Sequence, residues 1–263
     1  MLHRIAIIAL GLSVTAVSFS AGSPRLKDDD VKKLMEEVKK DVERFTDAVD
    51  SKYRTAKIRT ATSEVAIDGY LKDLKNRAEA MRDRFKEDYA ASREVLSFLQ
   101  QASAIEKRSA GKETLFGAEK EWPRLRGTLG RLSQVYGVDG NASPESWTAR
   151  RMNDRELVEA IETYAKFAES LKKSLEEALK YVGDVGKEER KAVMAAVDRL
   201  PDVADDLKGA VEDGKDAAGE LGLLKSASDE IEKFLSKHGL TNAVGSTFRT
   251  LAAQHAAIAA AFH

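Results

Sequence analysis

The chain contains no cysteine. That excludes disulfides, thiolate metal sites, a cysteine nucleophile and a lipid anchor on an N-terminal cysteine. Proline is scarce, at 4 residues, and aromatic residues make up only 6%. A β-sandwich of this length would use more turn-forming, β-branched and aromatic residues, so the shortage argues against an all-β fold. An excess of one charge is missing too. Lys and Arg number 43 against 44 Asp and Glu, for a formal net charge of −1. No global field therefore draws the chain to nucleic acid or to an anionic membrane.

Catalytic signatures are equally sparse. Gly137-Val138-Asp139-Gly140 follows a helical pattern, not a strand, and does not match a phosphate-binding loop. There is no Gly-x-Ser-x-Gly elbow, no His-Glu-x-x-His and no Glu-x-x-His pair. Of the 4 histidines, His3 and His263 lie at the chain ends and His238 sits beside Gly239 at a helix end. Only His255 falls on an apolar stripe, where a core histidine is the plain expectation. Carboxylate pairs such as Glu36-Glu37 and Glu176-Glu177 lie among lysines and read as solvated helix faces. Met35, Met81 and Met194 read as packing. The expectation is no enzyme, no cofactor and no metal.

What is present is a hydrophobic fraction of 43% beside a charged fraction of 33%. Such a mixture suits long helices with one wet face. At the N-terminus, His3 and Arg4 precede an apolar run from Ile5 to Val17, followed by the small residues Ser18, Ser20, Ala21 and Gly22. This is the pattern of a secretory signal over residues 1–20, too short for a comfortable membrane span. Ser23 to Lys27 reads as a short flexible lead-in.

Beyond Lys27 the apolar period is helical. Val31, Leu34, Met35, Val38, Val42, Phe45 and Val49 step by three and four. Ile67, Leu71, Leu74, Ala78, Met81 and Phe85 follow, with Thr62 and Ser63 as candidate caps. A third stripe runs through Val95, Leu99, Ala102 and Ile105 to a break at Gly111. The fourth carries Trp122, Leu125, Leu129, Leu132 and Tyr136 and closes at Gly137. Pro123 either marks the start of that helix or kinks it. Residues 138–153 read as a linker, with an Asn141-Ala142-Ser143 sequon of low specificity. Four more stripes follow, headed by Leu157, Val193, Leu221 and Val244. Pro201 predicts a kink or break in the second of these. Thr250 to Phe262, alanine-rich and uncharged apart from His255, predicts a helix buried on several sides.

Shifting the chain by 126 residues aligns the two halves without a gap. Val31 falls on Leu157, Phe45 on Leu171, Leu74 on Leu200, Ile105 on Ile231, Trp122 on Phe248 and Tyr136 on Phe262. Roughly one position in eight is identical; apolar character at the stripe positions is what persists. The expected fold is all-α, two tandem diverged units resembling four-helix bundles, over residues 28–137 and 154–263, each of about 110 residues.

The N-terminal signal, the charged helices, the Arg82-Asp83-Arg84-Phe85 stretch and the Trp122, Leu125, Leu129, Leu132, Tyr136 helix resemble a group of exported bacterial all-helical proteins. The likeness covers the first unit well and is degraded in the second, to Phe248, Leu251, His255, Ile258 and Phe262. No role is established for that group, so the resemblance implies export and fold and no activity.

Two sets of residues remain as candidate sites. Trp122, Tyr136, Phe248, His255 and Phe262 could line an apolar pocket between helices, although packing is the simpler role for each. Lys120, Arg124, Arg126 and Arg131, in a stretch with Lys107, Arg108 and Lys112, could form a basic surface for an anionic polymer or the envelope. The expected function is a non-enzymatic, periplasmic or secreted protein that binds a protein or envelope surface, or acts as a spacer or scaffold. A carrier of a small apolar ligand or lipid and a membrane-active helical protein are the alternatives.

Overall fold

The structure is a computed structural model that describes residues 25–262 apart from 61, 62, 112, 141 and 184. The expected signal at 1–20, His3, Thr62, Asn141 and His263 lie outside the described residues. Eight α-helices carry the fold: α1 (Asp28–Ala48), α2 (Ile67–Arg84), α3 (Ser92–Ala110), α4 (Trp122–Val135), α5 (Asp154–Leu179), α6 (Lys187–Asp213), α7 (Ala218–Lys237) and α8 (Gly245–Ala260). Among the described residues the protein is all-α but for one small antiparallel hairpin, β1 (Lys57–Arg59) with β2 (Glu64–Ala66), in which Ile58 pairs with Val65.

Each helix forms where the apolar period of three and four lets one stripe leave water. On α1 that stripe is Val31, Leu34, Met35, Val38, Val42 and Phe45, all buried. Pro123 sits in the first turn of α4, where its missing N–H is no loss, so it opens the helix and does not kink it. Gly137 ends α4 with φ of +59°, and the Val138 amide donates to the Ser133 carbonyl at 2.9 Å. This closes the helix with a left-handed residue that glycine adopts without strain.

The helices of the first half pack in a ring: α1 against α2 and α4, α2 against α3, and α3 against α4. Those of the second half pack in the same order, α5 against α6 and α8, α6 against α7, and α7 against α8. The ion pairs between these helices follow their antiparallel sense. Glu36 meets Arg82 and Asp47 meets Lys75 between α1 and α2, while Asp198 meets Lys172 and Glu162 meets Lys208 between α5 and α6. Two separate cores result. One runs from Val31 to Val138 and the other from Leu157 to Ala261. The first is closed at one end by Ile58 of the hairpin and by Phe116, whose ring meets Tyr53 edge-on at 5.7 Å. The space left there among Phe45, Ile58, Tyr70 and Phe116 is about 10 Å³, room for one water at most.

The structure revises or refines several expectations. Of the kink or break expected at Pro201, the break is absent: the residue lies inside α6, which is continuous from Lys187 to Asp213. Ser63 does not cap α2; it lies beside the hairpin, and Ala66 precedes the helix with no side-chain cap. The alternation in Lys57-Ile58-Arg59 and Glu64-Val65-Ala66 has the period of a strand, and only Ile58 reaches the core. The Ser23–Lys27 lead-in is not loose at its end, because the Arg25 side chain is only 7% exposed. The described residues of the 138–153 segment hold no α-helix and are packed against the fold: Trp147 rests on the first core, Gln100 Nε2 donates to the Pro144 carbonyl at 2.8 Å, and Asn153 is wholly buried. Finally, α8 is buried along one side only, through Gly245, Phe248, Leu251 and Ile258. Ala253 and Ala256 face water at little cost, since a methyl group exposes little apolar area, and the other alanines of the helix are half-buried.

Candidate functional site

The residues singled out as a candidate apolar pocket do not converge. Trp122 stands at the start of α4 with its ring 6.0 Å from Phe45, edge to face. Tyr136 stands at the other end of α4, fully buried, and its hydroxyl donates to the Ala90 carbonyl at 2.5 Å. Phe248 and Phe262 lie near opposite ends of α8, and Phe262 is only partly buried against the second core. His255 lies between them and faces Tyr164 at 6.4 Å. The candidate basic surface is largely neutralised by neighbouring helices. Arg124 Nε donates to Asp41 Oδ1 at 2.6 Å, Arg131 meets Glu37 at 2.8 Å, and Arg126 meets Glu106 at 3.1 Å. Lys120 is exposed in the turn before α4. His238, at the end of α7, packs on Phe234 at 4.6 Å with Nε2 3.3 Å from Glu189.

The densest polar constellation lies where the two bundles meet, at the N-termini of α1 and α5. Four orphan amides at each helix start invite an anionic partner. Each helix takes it from the other. The Asp28 amide donates to Asp154 Oδ2 at 3.0 Å, and the Asp154 amide donates to Asp28 Oδ2 at 2.8 Å. The arginines are exchanged in the same way. Arg25 pairs with Asp154 and donates to the Met152 carbonyl. Arg151 pairs with Asp28 at 2.6 Å and donates to the Leu26 carbonyl at 3.0 Å. A third exchange flanks these. Asn153 Nδ2 donates to the Lys86 carbonyl at 3.4 Å, and Lys27 Nζ donates to the Glu212 carbonyl at 3.2 Å.

In every case the two bonds of an exchange are related by the 126-residue offset noted in the sequence, which matches 25 with 151, 26 with 152, 27 with 153, 28 with 154 and 86 with 212. Where residue i touches j and the counterpart of i touches the counterpart of j, the contact has the logic of a two-fold interface. Gly214, at the end of α6 with φ of +67°, lets the Lys27 stem pass where a Cβ would collide with it.

Electrostatics suit a lock. Arg151 is 1% exposed; burial, with the nearby Arg25, pulls its pKa down while Asp28 holds it up. Burial pushes the Asp154 carboxyl up, but the Arg25 hydrogen bond, the Asp28 amide and the two guanidinium charges outweigh it and hold the group below its ordinary value. Both charges therefore persist at neutral pH, paired. Asn153 adds a capping box on α5, accepting from the Glu156 amide at 2.7 Å while Glu156 accepts from the Asn153 amide at 2.8 Å. In the first half Lys27 takes that position and provides no side-chain cap. The arrangement joins the two bundles through buried, paired charges.

Attention to apolar stripes missed these residues. The signal was present, since Arg25-Leu26-Lys27-Asp28 and Arg151-Met152-Asn153-Asp154 share Arg-x-x-Asp at one offset. Among the described residues no cluster of three His, Asp or Glu side chains is placed to hold a metal ion. Nor is any helix among them long and apolar enough to cross a membrane. In comparisons with known proteins, no family model, no curated protein and no solved structure matches the chain.

Proposed function

We propose that the chain is a non-enzymatic scaffold or spacer of the bacterial envelope, exported by its N-terminal segment, that offers two helical bundles in fixed relation to a protein or surface partner. A tandem duplication of one bundle unit belongs to this proposal. The observation that carries it is the reciprocal Asp28–Asp154 cap with its Arg25 and Arg151 guanidinium groups. Buried charges are costly to desolvate and are retained where they specify one arrangement over others. A chain of two independent beads would have no use for such a junction, whereas a spacer or bivalent scaffold needs it. Long charged helices supply wide outer faces, and ion pairs across them such as Glu36–Arg82 and Glu162–Lys208 keep those faces soluble.

Native mass spectrometry of the mature protein taken from its own envelope fraction tests the proposal. The expected result is the bare chain mass together with species heavier by the mass of a protein partner. A stoichiometric small-molecule adduct would contradict the scaffold reading in favour of a carrier. Turnover in a broad hydrolase screen would contradict it in favour of an enzyme.

A further inference from the structure

The third and fourth helices of each bundle are the ring neighbours that touch least. In the first bundle the chain after α4 covers that seam. The Pro144 carbonyl lies on α3, accepting from Gln100 Nε2 at 2.8 Å, and Trp147 and Ala149 rest on the core. The Arg150 amide donates to the Tyr136 carbonyl at 2.8 Å at the end of α4, and the Arg151 carbonyl accepts from Ser92 Oγ at 3.3 Å in the first turn of α3. Val95 and Tyr136 are fully buried in this bundle, and Leu96 packs on its core. The same side of the second bundle is bare among the described residues. Leu221 and Phe262, the counterparts of Val95 and Tyr136, are only partly buried. Ser226 stands exposed in the place of Gln100. Gly222 replaces Leu96, and a Cβ added there would meet open space. The seam is almost free of charge: α8 carries none from Thr250 on, His255 aside, and Lys225 of α7 is paired with Asp229 at 2.8 Å.

We propose that the open seam between α7 and α8 is a docking surface for the chain's own residues 18–24, laid across it as residues 144–150 are laid across α3 and α4. The reciprocal junction selects that occupant. Residues 144–150 immediately precede Arg151, and at the 126-residue offset their counterparts are residues 18–24, which immediately precede Arg25. Arg25 is tied to Asp154 and the Met152 carbonyl, and Lys27 reaches the Glu212 carbonyl at the end of α6, close to the start of α7. The chain before Arg25 therefore starts beside the seam. Reach is ample, since seven extended residues span roughly 23 Å and Ala218 to Ser226 is only about 12 Å along a helix. Charge suits the match as well. Ser18 to Pro24 carry no charged side chain and include the aromatic Phe19, so apolar surface leaves water without a charge being desolvated. Removal of residues 1–20, which read as a secretory signal, would strip most of this cover and bare the seam to a partner. The proposal rests on the duplication within the scaffold reading, because the offset between the halves supplies the occupant.

Spin labels on the full chain test the docking, one at Ser20→Cys and one at Lys233→Cys on the exposed side of α7. Pulsed electron spin resonance should give a narrow distance distribution, and a broad one once Gly222→Glu sets a charged side chain in the seam. That variant keeps its fold, because the position is an exposed helical one with open space and Glu is the better helix former. A broad distribution before the substitution would overturn the proposal, and so would a narrow one that survives it. A second pair of labels, on α3 and α7, separates this failure from that of the scaffold reading. A narrow distance there beside a broad one from Ser20 would sink the docking alone, whereas broad distances from both pairs would sink both.

Discussion

The two bundles pack their helices in the same order yet fill corresponding core positions with opposite chemistry. Val38, Ala102 and Leu129 make a dry layer in the first, while Tyr164, Ser228 and His255 make a polar one in the second. Other differences run the same way. The first bundle has a hairpin closing one end, and the second has none among the described residues. A buried tyrosine exists in both, but Tyr70 donates to the Gln101 backbone carbonyl at 2.7 Å whereas the Tyr164 hydroxyl turns to the Ser228 side chain of α7. The junction, by contrast, keeps its bonding partners on both sides, Arg25 with Arg151 and Asp28 with Asp154. A core position asks chiefly for volume and tolerates divergence. A reciprocal polar contact asks for specific atoms on both sides at once, so a change on one side strands a buried charge on the other.

That contrast can be broken most forcefully at the junction. Arg151→Ala removes the buried partner of Asp28 and the donor to Leu26, and should lower stability by about 3–5 kcal/mol in urea unfolding. Acid should approach the same state by another route. The Asp154 carboxyl is held below its ordinary value, so its contribution is whole at neutral pH. That contribution starts to fall once pH drops past the ordinary carboxylate value, and is gone below the lower folded one. An Asp154→Asn variant should flatten this acid limb in a pH series of thermal melts. Arg124→Ala comes next. Asp41 is 1% exposed and accepts from Arg124 at 2.6 Å and from Arg44 at 3.3 Å, so the variant leaves a buried carboxylate with only the longer of its two bonds and should cost about 1–2 kcal/mol. Tyr70→Phe deletes a single bond to the Gln101 carbonyl and should cost about 1 kcal/mol in the same assay. At the bottom of the scale, Arg82→Ala removes a solvated pair with Glu36 and should leave the melting temperature unchanged.

Most of the fold was legible because it rests on period. The stripe from Val31 to Phe45, the stop at Gly137 and the helix start at Pro123 each follow from local chemistry, and each is found in place. The hairpin was not legible, since two three-residue strands give too short an alternation to compete with the helical signals on either side. The pairing of Arg25 with Asp154 was hidden for a different reason. Nothing local brings residues so far apart together; only the reuse of Arg-x-x-Asp at the offset of the two halves hinted at it. Burial on several sides was expected of α8 from its alanines, but alanine is as much a helix former as a core residue. The five candidate pocket residues were grouped by chemical type, and helix length keeps Trp122 and Tyr136 at opposite ends of one element.

The central claim is that reciprocal caps hold the two bundles as one body. Because the chain has no cysteine, spin labels can be placed cleanly at Lys107→Cys on α3 and Lys233→Cys on α7, both exposed. The distance distribution between them, read by pulsed electron spin resonance, should be narrow in the labelled protein and broad once Arg25→Ala and Arg151→Ala are added. A broad distribution before those substitutions, or a narrow one that survives them, would contradict the account.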